Sequence, residues 1–78
     1  LKVTMKVKCD SAPLADEFKT RSFEMRDIIL LILMAKEYED VTQPEDKVNL
    51  KKEIVTALNR ALKKGQVLDI YFTEFLVQ

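Results

Sequence analysis

Histidine is absent from this chain of 78 residues. The usual proton shuttle at neutral pH and the commonest nitrogen ligand for metals are therefore missing. The single cysteine, Cys9, cannot close an intrachain disulfide. It follows Val7 and Lys8 in a strand-like pattern and reads as a packed structural thiol. With one Gly and two Pro, the chain has no Gly-rich phosphate loop, no nucleophile elbow and no low-complexity linker. Thirteen Lys plus Arg cancel thirteen Asp plus Glu, so no net field draws in nucleic acid or an anionic membrane. The longest uncharged run, Ile28 to Ala35, falls far short of the roughly 20 apolar residues that span a bilayer. Leu1 opens inside an alternating pattern without an initiator Met or a signal-peptide layout, the mark of a piece cut from a longer protein.

What is present suits one folded domain. A 47% apolar and 33% charged composition is too hydrophobic for a disordered chain, and the length allows one small core, which excludes a two-domain enzyme.

Leu1, Val3, Met5, Val7 and Cys9 alternate with Lys2, Thr4, Lys6 and Lys8, the period of a strand with one wet face. A helix is predicted to start near Ser11, with Pro13 tolerated in its first turn. Leu14, Phe18, Met25, Ile29 and Ile32 share one side of it, and Thr20, Arg21 and Ser22 permit a bend. After a polar, acidic stretch, Thr42 and Glu45 have the capping-box spacing and predict a second helix. Leu50, Ile54, Ala57, Leu58 and Ala61 form its buried stripe, and Gly65 is expected to stop it in the left-handed conformation. Val67 to Gln78 reads as a long strand. The expected class is α+β in two layers: strand, helix, helix, strand, with the strands antiparallel beneath a helical pair.

Candidate chemistry is sparse. Glu37, Glu39, Asp40, Glu45 and Asp46 lack the central Gly and alternating spacing of a calcium loop and read as a solvated acidic connection. The hydroxyls of Ser11, Thr20, Ser22, Thr42 and Thr73 have no histidine base. Asp69 and Glu74, five residues apart, are expected on opposite faces of the last strand, where they cannot work as an acid–base pair. No catalytic, cofactor or metal residue is assigned. Phe23, Leu30 and Met34 project away from the first helix's buried side. They are either core, covered by the second helix or by an upstream segment, or a contact for a neighbouring copy.

The closing run Tyr71-Phe72-Thr73-Glu74-Phe75-Leu76-Val77-Gln78 resembles the C-terminus of the flagellar basal-body-associated FliL family, which typically ends in a Phe-rich strand finishing with Gln. Met25-Arg26-Asp27-Ile28-Ile29 is similar to that family's apolar-Arg-Asp helix motif. Asn49-Leu50-Lys51-Lys52-Glu53-Ile54 through Leu58-Asn59 is similar to its second helix, and the Leu1 to Lys8 strand also fits. The resemblance covers nearly the whole chain. One departure is Phe23, which stands where the family often has Pro and leaves open whether the helix breaks there.

The resemblance implies a periplasmic, stomatin- and prohibitin-like domain, residues 1–78, of a single-span inner-membrane protein. It implies an upstream membrane helix, a linker and a further strand. It also implies a non-enzymatic scaffold that forms a homo-oligomeric ring around the stator complex and keeps it engaged. A stomatin-like scaffold for another client is an alternative. So is a periplasmic peptidoglycan- or ligand-binding module, which would need convergent polar groups in a concave apolar site.

Overall fold

Alternation over Lys2–Cys9 builds strand β1, whose odd-numbered side chains are half-buried and whose even-numbered ones are exposed. This is seen in the computed structural model, which describes residues 2–76. Helices α1 (Ala12–Thr20) and α2 (Ser22–Met34), a 3-10 turn (Tyr38–Val41), helix α3 (Pro44–Ala61) and strand β2 (Val67–Leu76) follow. β1 and β2 pair antiparallel in a two-stranded sheet, and the helices pack on the face that carries Met5, Val7, Cys9 and Ile70. The α+β class and the antiparallel strands are as expected. The last two residues of the predicted final strand, Val77 and Gln78, lie outside the described residues.

The first helical region is two helices rather than one. It bends at Arg21 (φ −104°, ψ 29°). Arg21 N–H still donates to Glu17 C=O at 2.9 Å and Met25 N–H to Arg21 C=O at 3.0 Å. Helical hydrogen bonding therefore runs through the bend, which forms without a proline and two residues before Phe23. At the start of α1, Ser11 Oγ accepts from Leu14 N–H at 3.4 Å, satisfying one otherwise free donor.

The capping box of α3 lies one residue later than predicted. Gln43, not Thr42, is the cap, and its N–H donates to Asp46 Oδ2 at 3.0 Å. Pro44 explains the shift. It takes the first helical position, where its missing N–H costs nothing, and forces the preceding residue into the extended conformation that a cap requires. Gln43 has φ −99° and ψ 152°.

The helix also ends earlier than Gly65. Leu62 turns extended (φ −82°, ψ 146°) and is buried in the core. Gly65 does hold a positive φ of 151°, but in the connection to β2, and a Cβ there would lie 2.5 Å from Asp10 Oδ1. Asp10 ties this turn to the end of β1: its N–H donates to Gln66 C=O at 3.0 Å and its Oδ2 accepts Gln66 N–H at 3.1 Å. Asn59 completes the junction, donating from Nδ2 to Val67 C=O at 3.1 Å and accepting Val67 N–H on Oδ1 at 2.7 Å.

Two register shifts interrupt the sheet, between Thr4 and Met5 and between Lys8 and Cys9. Thr73 and Leu68 are the extra residues on β2, since Thr4 pairs with Glu74 but Met5 with Phe72, and Lys8 pairs with Asp69 but Cys9 with Val67. Asp69 and Glu74 therefore lie on the same face, opposite Lys8 and Thr4, and not on opposite faces as strict alternation predicted.

Leu14, Met25, Ile54, Leu58 and Ile70 are fully buried, and Val41, Leu50, Leu62 and Val67 nearly so. The core sits where α3 crosses between α2 and β2. Leu50, Ile54 and Leu58 are the predicted stripe of α3, while Ala57 and Ala61 are only half-buried at its border. Leu58→Ala should lower stability by roughly 2 to 5 kcal/mol in urea unfolding, because it removes a fully enclosed side chain from a core too small to close the gap. A loss below about 0.5 kcal/mol would place Leu58 outside that core.

Candidate functional site

The most constrained polar group in the molecule was not singled out by its sequence pattern. Glu17, on α1, is only 8% exposed. Its carboxylate accepts Lys63 N–H at 2.9 and 3.1 Å, Lys64 N–H at 2.8 Å, and Arg21 Nη1 at 2.8 Å. The same Arg21 Nη1 donates to Ala61 C=O at 2.6 Å, and the guanidinium also clasps Glu24. One ion pair thus satisfies the free N–H groups of the α3–β2 connection and a carbonyl at the negative end of α3.

Burial alone would raise the pKa of Glu17, but the two backbone N–H donors and Arg21 outweigh it and hold the carboxyl below its usual range. The hydrogen bond from Arg21 likewise lowers Glu24, and the bonds to Glu24 and then Glu17 raise Arg21. A Glu-x-x-x-Arg pair is visible in any helical sequence. Only the tertiary placement of residues 61–64 against it shows what it does.

Four of the weighed carboxylates, Asp69, Glu74, Asp40 and Asp46, have partners within the fold, and Glu39 lines an acidic groove with Asp40, Asp46 and Glu53. Asp69 lies 3.6 Å from Lys51 Nζ, and its Oδ1 accepts its neighbour Ile70 N–H at 2.8 Å. Glu74 accepts Thr4 Oγ1 at 3.1 Å and lies 3.6 Å from Lys2. In the acidic connection, Asp40 accepts Glu37 N–H at 2.8 Å as Asp46 accepts Gln43 N–H, so each carboxylate closes a capping box from inside its helix. Lys36 pairs with Glu53 at 2.7 Å. Among the described residues no cluster of His, Cys, Asp or Glu could hold a metal ion. Cys9 is half-buried, and burial followed by the Asp10 charge raises its thiol pKa, which disfavours the reactive thiolate.

The motif residues separate into two groups on either side of β1. Arg26 and Asp27 are exposed on α2. Arg26 lines a groove of about 360 Å³ with Val3, Thr4, Met5, Ile29, Leu30 and Leu33. Across β1, on β2, Phe72 and Phe75 meet edge-to-face at 5.3 Å, with Lys47 over Phe75 at 5.0 Å and Lys51 over Tyr71 at 5.8 Å. Thr73 Oγ1 donates to Thr4 C=O at 3.3 Å, tying down the bulge. The final motif residue, Gln78, lies outside the described residues.

Two apolar flanks remain. On α2, Phe23 is 86% exposed, Met34 74% and Leu30 53%, and Leu31 is exposed beside them. Among the described residues nothing covers Phe23 or Met34 of the stripe predicted as core or contact, while Leu30 borders the groove beside β1. On a separate surface, Val48, Val55 and Leu68 line a groove between α3 and β2, and the sequence reading had not anticipated it. Leu68 is itself the extra residue of the second bulge and is exposed.

These features define a small α+β module that has an ion-pair clasp at one junction and apolar surface to spare on two flanks. The model of the family of flagellar basal body-associated protein FliL matches residues 1–78, and the chain belongs to that family. It is 27% identical over 77 residues to "Flagellar protein FliL" of Aquifex aeolicus (strain VF5), covering 99% of this chain and 48% of that protein. It is 26% identical over 78 residues to the protein of the same name from Bacillus subtilis (strain 168), covering 100% of this chain and 56% of that protein. The chain thus spans about half the length of the curated relatives it matches.

The clasp makes a pH prediction. Glu17 has a lowered pKa in the fold, so its stabilisation is complete above the unfolded value of about 4.3 and is lost as pH falls through the folded value. Glu17→Gln should be less stable than the parent at pH 7, with the difference in urea midpoint narrowing as pH falls below about 4. Asp16→Asn, exposed on the same helix, should show little difference at either pH. A Glu17→Gln deficit that stays constant down to pH 2 would show that the carboxylate's charge is not what holds the junction.

Proposed function

We propose that this chain is a non-enzymatic scaffold of the flagellar motor, which assembles with its own copies into a ring around stator units and holds them in the engaged state. Family membership supplies the setting. The observation that carries the assembly step is the exposed stripe of Phe23, Leu30 and Met34 on a helix whose opposite face supplies Met25 to the core. Large exposed apolar side chains lined along one helix face mark association rather than stability.

In this reading the domain stands in the periplasm, and the polypeptide supplies an inner-membrane helix, a linker and a further strand. No helix among the described residues is long and apolar enough to cross a membrane. The groove between β1 and α2 supports the additional strand. Two strands about 4.8 Å apart make a narrower platform than two helices packed 8 to 10 Å apart, and Arg26, Ile29, Leu30 and Leu33 of α2 line the groove beside β1.

A scaffold changes stator engagement only through its preference for one state of the client. A coupling of about 1 to 3 kcal/mol alters the engaged fraction severalfold or more. Deleting the domain from a flagellated host should leave filament number unchanged by electron microscopy while reducing swimming and stator occupancy in viscous medium. Normal occupancy and torque under load would overturn the proposal. At the molecular level, Leu30→Asp should weaken self-association in sedimentation and leave the circular dichroism spectrum unchanged. Loss of the spectrum would return Leu30 to the core.

A further inference from the structure

The two apolar flanks have the same layout and opposite charge. On α2, Phe23, Asp27, Leu31 and Met34 fall in one line at helical spacing, with Asp27 the single charge between exposed apolar side chains. On α3, Val48 and Val55 flank Lys52, and the bulged Leu68 of β2 widens the strip into the groove of about 390 Å³. Neither Asp27 nor Lys52 has an ion-pair partner among the described residues, whereas Lys51 beside the groove is committed to Asp69. α3 touches both α2 and β2, and Lys52 stands where the α2–α3 and α3–β2 grooves meet, so the α2 strip and the α3–β2 groove are separate surfaces.

We propose that the α2 strip of one copy docks into the α3–β2 groove of the next, with Asp27 meeting Lys52. The inference rests on the self-assembly reading above and names its two surfaces. Charge selects this pairing over the symmetric ones. A two-fold contact between α2 strips brings Asp27 against Asp27, and one between the α3 flanks brings Lys52 against Lys52. The head-to-tail contact sets Asp27 against Lys52 and covers both apolar strips at once. A head-to-tail contact leaves one strip open at each end of a growing chain, so it closes into a ring when the rotation between copies permits.

The test uses the full-length polypeptide with Cys9→Ala to remove the native thiol. The double variant Leu31→Cys, Val48→Cys should give a ladder of disulfide-linked oligomers on mild oxidation, and neither single variant should. Asp27→Lys and Lys52→Glu should each weaken association about tenfold in sedimentation, and the two together should recover it to within about threefold. Circular dichroism checks that these exposed substitutions leave the fold intact. Dimers from Leu31→Cys alone would overturn the pairing in favour of a two-fold contact. Assemblies that form normally with no ladder and no charge effect would overturn the pairing and leave self-assembly standing. A parent protein that stays monomeric at every concentration would remove both.

Discussion

A single buried carboxylate holds the ends of this fold together. Glu17 lies on the first helix, yet its hydrogen-bond partners are the backbone N–H groups of Lys63 and Lys64, far along the chain, and Arg21 beside it reaches the last carbonyl of α3. Leu62, between the two bonded stretches, is thereby turned into the core, and the chain leaves α3 on course to pair with β1. Both groups of the pair have further partners, the arrangement in which a buried charge can stabilise rather than merely survive desolvation. The bend at Arg21 belongs to the same device, because the residue that breaks the first helical region also supplies the guanidinium.

Much of the fold was legible because it rests on local periodicity. The alternation of β1 and the Leu50, Ile54, Leu58 stripe each reported a buried face directly. The failures share a cause. Cap positions, the end of α3 and the relative faces of Asp69 and Glu74 were read from spacing alone, and each was moved by a residue whose influence is steric or long-range. Pro44 advanced the capping box, the Glu17 clasp ended the helix before Gly65, and the bulge at Thr73 inverted the parity of β2. A bulge leaves no mark in a pattern of apolar and polar letters when the extra residue is as unremarkable as threonine.

The surface was legible in half. Phe23, Leu30 and Met34 were picked out because they disrupt the amphipathic order of a helix. The second flank was hidden: Val48 and Val55 lie beside rather than within the stripe of α3, and Leu68 is the extra residue at a register shift. The motif residues divide in the same way. Phe72 and Phe75 pack on one another, whereas Arg26 and Asp27 are held by no ion pair among the described residues. Packing accounts for the aromatic members, whereas Arg26 and Asp27 stay exposed on α2.

The side chain of Asn59 gives both its amide hydrogen and its oxygen to the backbone of Val67, and so takes the place of a neighbouring strand at the first residue of β2. An edge with its donor and acceptor already occupied offers nothing to a passing β-strand, and the protein can keep a two-stranded sheet without inviting amyloid-like growth at that end. One amide thus closes the outer ladder at the start of β2, where a passing strand would otherwise find a free donor and acceptor.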